Sequence, residues 1–357
     1  MLADQNSDPE TLTPAFSFIE NEPVFDPVRH LALEAPQQIL TLEDFGYSTK
    51  EAAQFASPIA ATSPVRMLSD EGLATAQEVL KLLQPRVVTH DNGASTDGRR
   101  NIYYGQYQSR FLRDLMSCTE VIQFLSDIFQ PPIAPHTMPH LGCQINFANA
   151  KQGGSIIGWH HDIVGFTVVL TMHDPSTIEG GHLMYYKGPR DEGERILNTG
   201  QELPEDKVVV SNRAPMGYCT IIQGSAVLHA VQPVQNDAFR CSIVNAYVSR
   251  DVTAPDANRG YPVQDYFPGV PMYPVYNEMA RHAAWLAKAK LGSILESGVW
   301  IEDRGKLVAE LSAAVDDVQR CIDQLKAGGI DDEAYEEGRI AEDERQMTAP
   351  LFERGSQ

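Results

Sequence analysis

Positive charge is scarce in this chain. Only 28 Lys and Arg stand against 48 Asp and Glu, a formal net charge of −20 over 357 residues. Nucleic-acid phosphates are held by Lys and Arg, so the balance argues against a nucleic-acid partner and equally against an anionic membrane surface. Cysteine is sparse too. Cys118, Cys143, Cys219, Cys241 and Cys321 are scattered, odd in number and without metal-type spacing. That argues against a disulfide framework or a thiolate zinc site and leaves free thiols in a reducing compartment. No apolar run approaches the ~20 residues needed to cross a bilayer. Met1-Leu2-Ala3-Asp4-Gln5 lacks the basic stretch and apolar run of a signal peptide, so a cytoplasmic location without membrane contact is expected. No internal repeat is visible. What the chain does have is core material: 43% of residues are hydrophobic. That is too many for wholesale disorder and suits one large catalytic domain with helical additions.

Periodicity divides the chain into four. Residues 1–65, rich in Pro, Ser, Thr and acidic side chains, read as an irregular arm partly packed on the body. Residues 66–135 read as a helical brace. Ser69 is a plausible N-cap, Leu73, Ala76, Val79, Leu80 and Leu83 recur at helical spacing, and Pro85 stops the run. Residues 91–98 are loop-like, and a second helix is expected from about Ser109 to Phe129. Across 136–250 the period changes to two, with short β-rich runs at 143–148, 162–172, 182–187, 208–210, 217–223, 226–229 and 239–248, cut by Gly and Pro turns and by an acidic insert at 188–206. Such a pattern predicts a mainly β fold with flanking helices, its core a jelly-roll or double-stranded β-helix. Residues 251–357 return to helical spacing at 278–295 and 305–325, followed by an acidic, helix-like tail at 331–347. This extension could cover the barrel mouth, brace the sheet or form a homodimer contact.

One stretch organises the rest: Gly158-Trp159-His160-His161-Asp162. On an extended strand, residues two apart share a face, so His160 and Asp162 can reach one ion while His161 points away. His229 supplies a second imidazole, with Arg240 eleven residues beyond it in Phe239-Arg240-Cys241-Ser242. Two histidines and a carboxylate on one face of a metal form the facial triad that leaves positions open on non-haem Fe(II). A guanidinium near it suits a carboxylate gripped by two parallel hydrogen bonds. His173 and His182 are the rivals of His229, but neither is followed by Arg at that spacing.

His160-x-Asp162, His229 and Arg240-x-Ser242, in that order, resemble the Fe(II)/2-oxoglutarate-dependent dioxygenase superfamily over roughly residues 136–250. The resemblance implies that His160, Asp162 and His229 hold Fe(II) and that Arg240, with Ser242, anchors the distal carboxylate of 2-oxoglutarate. O2 would take the remaining position, and oxidative decarboxylation to succinate would drive attack on an unactivated C–H bond. Halogenating relatives lack the triad carboxylate so that chloride can bind. Asp162 is present, which favours hydroxylation, desaturation or ring closure.

Beyond this set, Gln144 and Asn146, on the strand before the metal strand, are candidates to donate to 2-oxoglutarate or substrate. Tyr103, Tyr104, Tyr107 and Arg110 form an aromatic and cationic cluster that could recognise a small anionic or amino-acid substrate, and Phe166 shares the parity of Asp162 and could line an apolar pocket. The expected function is oxidation of a small molecule, an amino acid or a natural-product intermediate of secondary metabolism. Two readings compete with it: a protein-modifying oxygenase docking through the C-terminal helices, and a cupin-like metal protein without oxygenase activity. Arg240-x-Ser242 separates the last from the first two, because a metal-only fold needs no dicarboxylate anchor.

Overall fold

The computed structural model describes residues 17–90, 99–138, 141–150, 157–254, 273–296, 298 and 300–326. Fourteen strands are assigned among them. Those before the metal motif are β1 (Ile39–Thr41), β2 (Ile59–Thr62), β3 (Val65–Arg66), β4 (Val88–His90), β5 (Arg99–Ile102), β6 (Ile133–Pro135) and β7 (Cys143–Ala150). The rest are β8 (Ile157–His160), β9 (Phe166–Thr171), β10 (Leu183–Tyr186), β11 (Val208–Val210), β12 (Tyr218–Ile222), β13 (His229–Val231) and β14 (Ala238–Ser249). The larger sheet runs β1-β2-β12-β9-β14-β7-β5-β4, with β3 also on β12 and β6 on β14. The smaller runs β11-β10-β13-β8. Every pairing is antiparallel. This is the expected two-sheet jelly-roll core.

The long central strand β14 explains the larger sheet. Its Ile, Val and Tyr positions suit a pleated, buried surface, and it pairs along its length with β7 on one side and β9 on the other. One face of this sheet is covered by helices. Helices α1 (Asp70–Leu83), α2 (Arg110–Ser117) and α3 (Thr119–Phe129) bury Val79, Leu83, Phe111, Leu115, Leu125 and Phe129 against Ile145, Phe147, Phe166, Leu170, Ile243 and Tyr247. Burial of this size dominates the stability of the fold. The Ser69 hydroxyl accepts from the Gly72 N–H at 2.9 Å, the N-cap expected for α1. The single helix expected over 109–129 is instead two: Cys118 takes an extended ψ of 151° between α2 and α3, letting both lie flat on the sheet.

Two further expectations change. The arm is not irregular. β1, β2 and β3 extend the larger sheet, and Leu42, Phe45 and Tyr47 form a second core with Ala60, Tyr185, Ile222 and Val227. Its strands are short, and β2 is buried throughout, so no alternation marks them. The brace likewise carries the β4–β5 edge beside β7. The insert at 188–206 holds a helix, α4 (Arg190–Asn198). At the C-terminal end the two expected helices are α5 (Tyr273–Glu296) and α6 (Arg304–Lys326), which pack on each other; the tail at 331–347 lies outside the described residues. No helix among the described residues is long and apolar enough to cross a membrane.

Candidate metal centre

His160 closes β8 and His229 opens β13, and the two lie directly opposite each other in the smaller sheet. Opposed residues of an antiparallel pair share a face, so the imidazoles converge, with ring centroids 4.2 Å apart. Asp162 follows two residues after β8. Its Oδ1 lies 3.6 Å from His160 Nε2 and 3.7 Å from His229 Nε2. One ligand atom from each of the three residues falls within 4.8 Å of the others. Both rings are oriented the same way. Nδ1 of His160 is 2.8 Å from the Gly158 carbonyl, and Nδ1 of His229 is 2.8 Å from the Val227 carbonyl. An N–H donated there fixes the tautomer that leaves each Nε2 lone pair aimed at a common point. Burial alone would raise the Asp162 carboxyl, but the facing His229 and His160 and the Thr167 hydroxyl outweigh it and hold the group below its ordinary value. Two imidazole nitrogens and a carboxylate oxygen within reach of one another fit a ferrous ion.

The carboxylate is positioned from both sheets. Thr167 Oγ1, on β9, donates to Asp162 Oδ2 at 2.6 Å, leaving Oδ1 turned toward the imidazoles. The Asp162 N–H donates to the Gly224 carbonyl at 2.9 Å, tying the ligand to the turn between β12 and β13. Gly224 has no room for a side chain: a Cβ there would sit 2.0 Å from Asp162 Oδ2. The turn is clamped in its own right. Gln223 donates its amide to the Ser57 and Ile59 carbonyls, Tyr47 donates its hydroxyl to the Ala226 carbonyl, and Arg190 of α4 donates to the Ser225 carbonyl. The N-terminal arm thus braces the loop that delivers His229. His161 points away from the triad, its Nδ1 2.5 Å from Glu194 Oε1 on α4.

Strand register assigns the facing wall. Thr167 reaches Asp162, so the alternate residues Val169 and Thr171 of β9 share the inner face. Thr171 lies opposite Ser242, Ser242 opposite Asn146 and Asn146 opposite Asn101, a polar row across four strands. Asn146 Oδ1 accepts from both Gln144 Nε2 and Asn101 Nδ2, which leaves the Asn146 amide hydrogens pointing elsewhere. Arg240, two residues from Ser242, has the same parity. Burial lowers its guanidinium to about 10, and no carboxylate offsets the effect among the described residues. A part-buried cation without a counter-ion is costly unless an anion joins it. His173 stands next to Arg240. Its Nδ1 lies 2.9 Å from the Cys241 carbonyl, and burial, with the Arg240 cation adding to it, lowers its pKa. His182 is elsewhere, taking a hydrogen bond from Arg213.

The structure does not bring the expected substrate cluster to this wall. Tyr103, Tyr104 and Tyr107 pack with Met138, Val275 and Met279, and Tyr107 donates to Glu278 of α5 at 2.9 Å. They join the C-terminal helices to the body. Arg110 lies 4.3 Å over the Phe18 ring and pairs with Glu22, holding the arm. Phe166 is fully buried against Phe129, its ring centroid 4.1 Å away, on the helix-covered face. Its parity is opposite to that of Thr167, because the chain bends between Asp162 and β9. Thr167, Gly224 and Asn101 were not singled out from the sequence, and His173 was weighed there only as a rival of His229. For Thr167 the signal was its place five residues after Asp162 in a β-rich run. For the others the sequence carries none, since register alone brings them in.

The chain is similar to several solved structures. The non-heme alpha ketoglutarate dependent epimerase SnoN from nogalamycin biosynthesis is 17% identical over 57% of this chain and 83% of its own, at a TM-score of 0.41. The carbocyclase SnoK from the same biosynthesis is 13% identical over 61% and 88%, at 0.42. EctD from S. alaskensis, with 2-oxoglutarate and 5-hydroxyectoine, is 16% identical over 65% and 83%, at 0.41. No curated protein matches the chain. The profile described as Halogenase D matches residues 76–260, a segment that contains the triad, Arg240 and Ser242. The expected superfamily, that of Fe(II)/2-oxoglutarate-dependent enzymes, stands on this donor set and two-sheet core. Because the matched segment is just over half of the sequence, the chain belongs to the Halogenase D family.

Proposed function

We propose that this protein is an Fe(II)- and 2-oxoglutarate-dependent oxygenase that oxidises a C–H bond of a small molecule by delivering oxygen, not halide. The observation that carries the reading is Asp162, held 3.6 and 3.7 Å from the two imidazole nitrogens by its own acceptor and backbone contacts. Ferrous iron with 2-oxoglutarate and O2 supplies the oxidising power when bound. The chain's residues set the conditions for it. His160, His229 and Asp162 hold the metal on one face, and Asp162 contributes the negative charge. Arg240 takes the distal carboxylate, with Ser242 beside it. The Asn146 amide, its oxygen already committed to Asn101 and Gln144, is left as a donor for 2-oxoglutarate or substrate. The acidic chain supports a small-molecule substrate over nucleic acid. An amino acid or natural-product intermediate fits this reading, and a cytoplasmic location fits the free cysteines.

The test is anaerobic titration of Fe(II)-loaded protein with 2-oxoglutarate, following the visible metal-to-ligand charge-transfer band. The band should form in the wild type and be lost in Arg240→Ala, with circular dichroism unchanged. Folded, metal-loaded wild type without the band would overturn the reading in favour of a metal protein that does not use 2-oxoglutarate. The family's description as a halogenase favours a second outcome, halide transfer. Turnover that requires chloride would establish that outcome in place of the first.

A further inference from the structure

The C-terminal hairpin has one apolar face more than the described residues cover. The inner face of α6 is satisfied: Ala314, Asp317 and Cys321 are buried, and Asp317 accepts from Lys290 of α5 at 2.6 Å. Its outer face carries Val308, Leu311, Val315, Val318 and Ile322, each between 38 and 61% exposed. The steps alternate three and four residues, the repeat of a helix seam that packs against another helix. Val308, Val315 and Ile322 fall on the first position of the repeat, Leu311 and Val318 on the fourth. β-branched residues at the first position favour two-stranded association. Leu291 of α5 borders the same stripe across a groove of about 240 Å³, and Leu307 and Leu295 extend it.

We infer that this stripe is a homodimer interface, in which a second copy of the chain lays its α6 against the first across a two-fold axis. Three observations select a second copy. The stripe with its extensions leaves eight large apolar side chains at least 36% exposed, a patch of the kind that marks an interaction site. The seam is also free of charge. Ser312, Ala314, Gln319 and Cys321 flank it, and Glu310, Asp316, Asp317 and Arg320 lie off it. On a chain of net charge −20, an uncharged strip is where two copies meet with least repulsion. Finally, a two-fold contact needs a self-complementary surface, which a single repeating stripe provides.

The test is sedimentation of the full chain at micromolar concentration. The wild type should run at twice the chain mass. Val315→Asp places two carboxylates in the seam and should weaken association on the order of a hundredfold, to monomer. Its circular dichroism should match that of a variant altered off the stripe, Ala309→Asp, which should remain dimeric. If Val315→Asp aggregates, Val308→Asp, one repeat earlier, makes the same test. A monomeric wild type would overturn the inference, including one in which residues 327–357 cover the stripe. So would a dimer that survives both Asp substitutions, because its interface would lie elsewhere.

Discussion

Substituting Gly224 by Ala tests how the metal site is held without touching a ligand. The added Cβ would lie 2.0 Å from Asp162 Oδ2, 2.6 Å from Cγ and 2.7 Å from Cβ. Non-bonded heavy atoms settle near ~3.5 Å, so the carboxylate must withdraw by more than about 1 Å. It cannot follow its own backbone, because the Asp162 N–H is tied to the Gly224 carbonyl at 2.9 Å. Withdrawal breaks the 2.6 Å bond from Thr167 and carries Oδ1 off the point it shares with the imidazoles. Metal–ligand distances tolerate only ~0.2 Å, so the third ligand is lost in effect. Loss of an outer partner costs 10–100-fold in metal affinity, and displacing the ligand itself sets that as a lower bound. The φ of Gly224 lies outside the left-handed region, so Ala brings no backbone strain. Gly158→Ala is the control: it borders the same site, and its Cβ would meet nothing within 4 Å. Anaerobic Fe(II) or Mn(II) titration calorimetry should show affinity falling at least about tenfold in Gly224→Ala and staying within about twofold in Gly158→Ala. Folded Gly224→Ala that binds metal like the wild type would refute the claim that the missing side chain positions Asp162.

Arg240→Met should separate stability from binding. Burial already depresses this guanidinium to about 10, so removing it from ligand-free protein should stabilise the fold by about 1–2 kcal/mol, a figure discounted for partial exposure. Scanning fluorimetry should show a higher melting temperature that Mn(II) still raises but that 2-oxoglutarate added with Mn(II) raises no further; a destabilised variant would contradict the assignment of an uncompensated cation. His173 has a folded pKa below its ordinary 6.5, so the folded protein binds fewer protons than the unfolded chain near and below that value. Stability should therefore fall as pH drops from about 7 to 5, and His173→Asn should flatten that slope in urea titrations; parallel slopes would refute it. Asp162→Gly vacates the third ligand position. Chloride should then shift the charge-transfer band of the Fe(II)–2-oxoglutarate complex in the variant and not in the wild type, and an unresponsive variant would show that the carboxylate does not guard that position.

The candidate metal triad was legible because His160-x-Asp162 is a two-residue strand period and His229 stands eleven residues before Arg240. The β core was legible for the same reason, since β7, β9 and β14 are long enough to show their pattern. What failed to show was anything decided by register or by space. Gly224 reads as a turn glycine, yet the absence of its side chain is what admits a carboxylate. Asn101 sits on a strand that composition gave no reason to expect, and it matters because β5 lies beside β7. The Tyr103–Arg110 cluster shows the opposite ambiguity. Aromatic and cationic side chains are chosen alike for gripping a ligand and for gripping a neighbouring helix, and here the partners are α5 and the N-terminal arm.

Family membership rests on the match over 76–260, and the proposed reaction outcome on one position within it, the third ligand. A carboxylate there could be a relic if its surroundings were indifferent to it, but they are not. The Thr167 hydroxyl is spent on Asp162 Oδ2, and the Gly224 backbone leaves the volume that oxygen fills. In a chain with glycine at 162, the same hydroxyl would lose this acceptor and the same volume would be empty, both unfavourable in a part-buried site. The two neighbours are therefore matched to an aspartate. Their contacts are made to the oxygen that does not face the imidazoles, so they orient the ligand without competing for the metal. That division of the two carboxylate oxygens supports the oxygenase reading proposed above, because a halide-binding site would have no use for it.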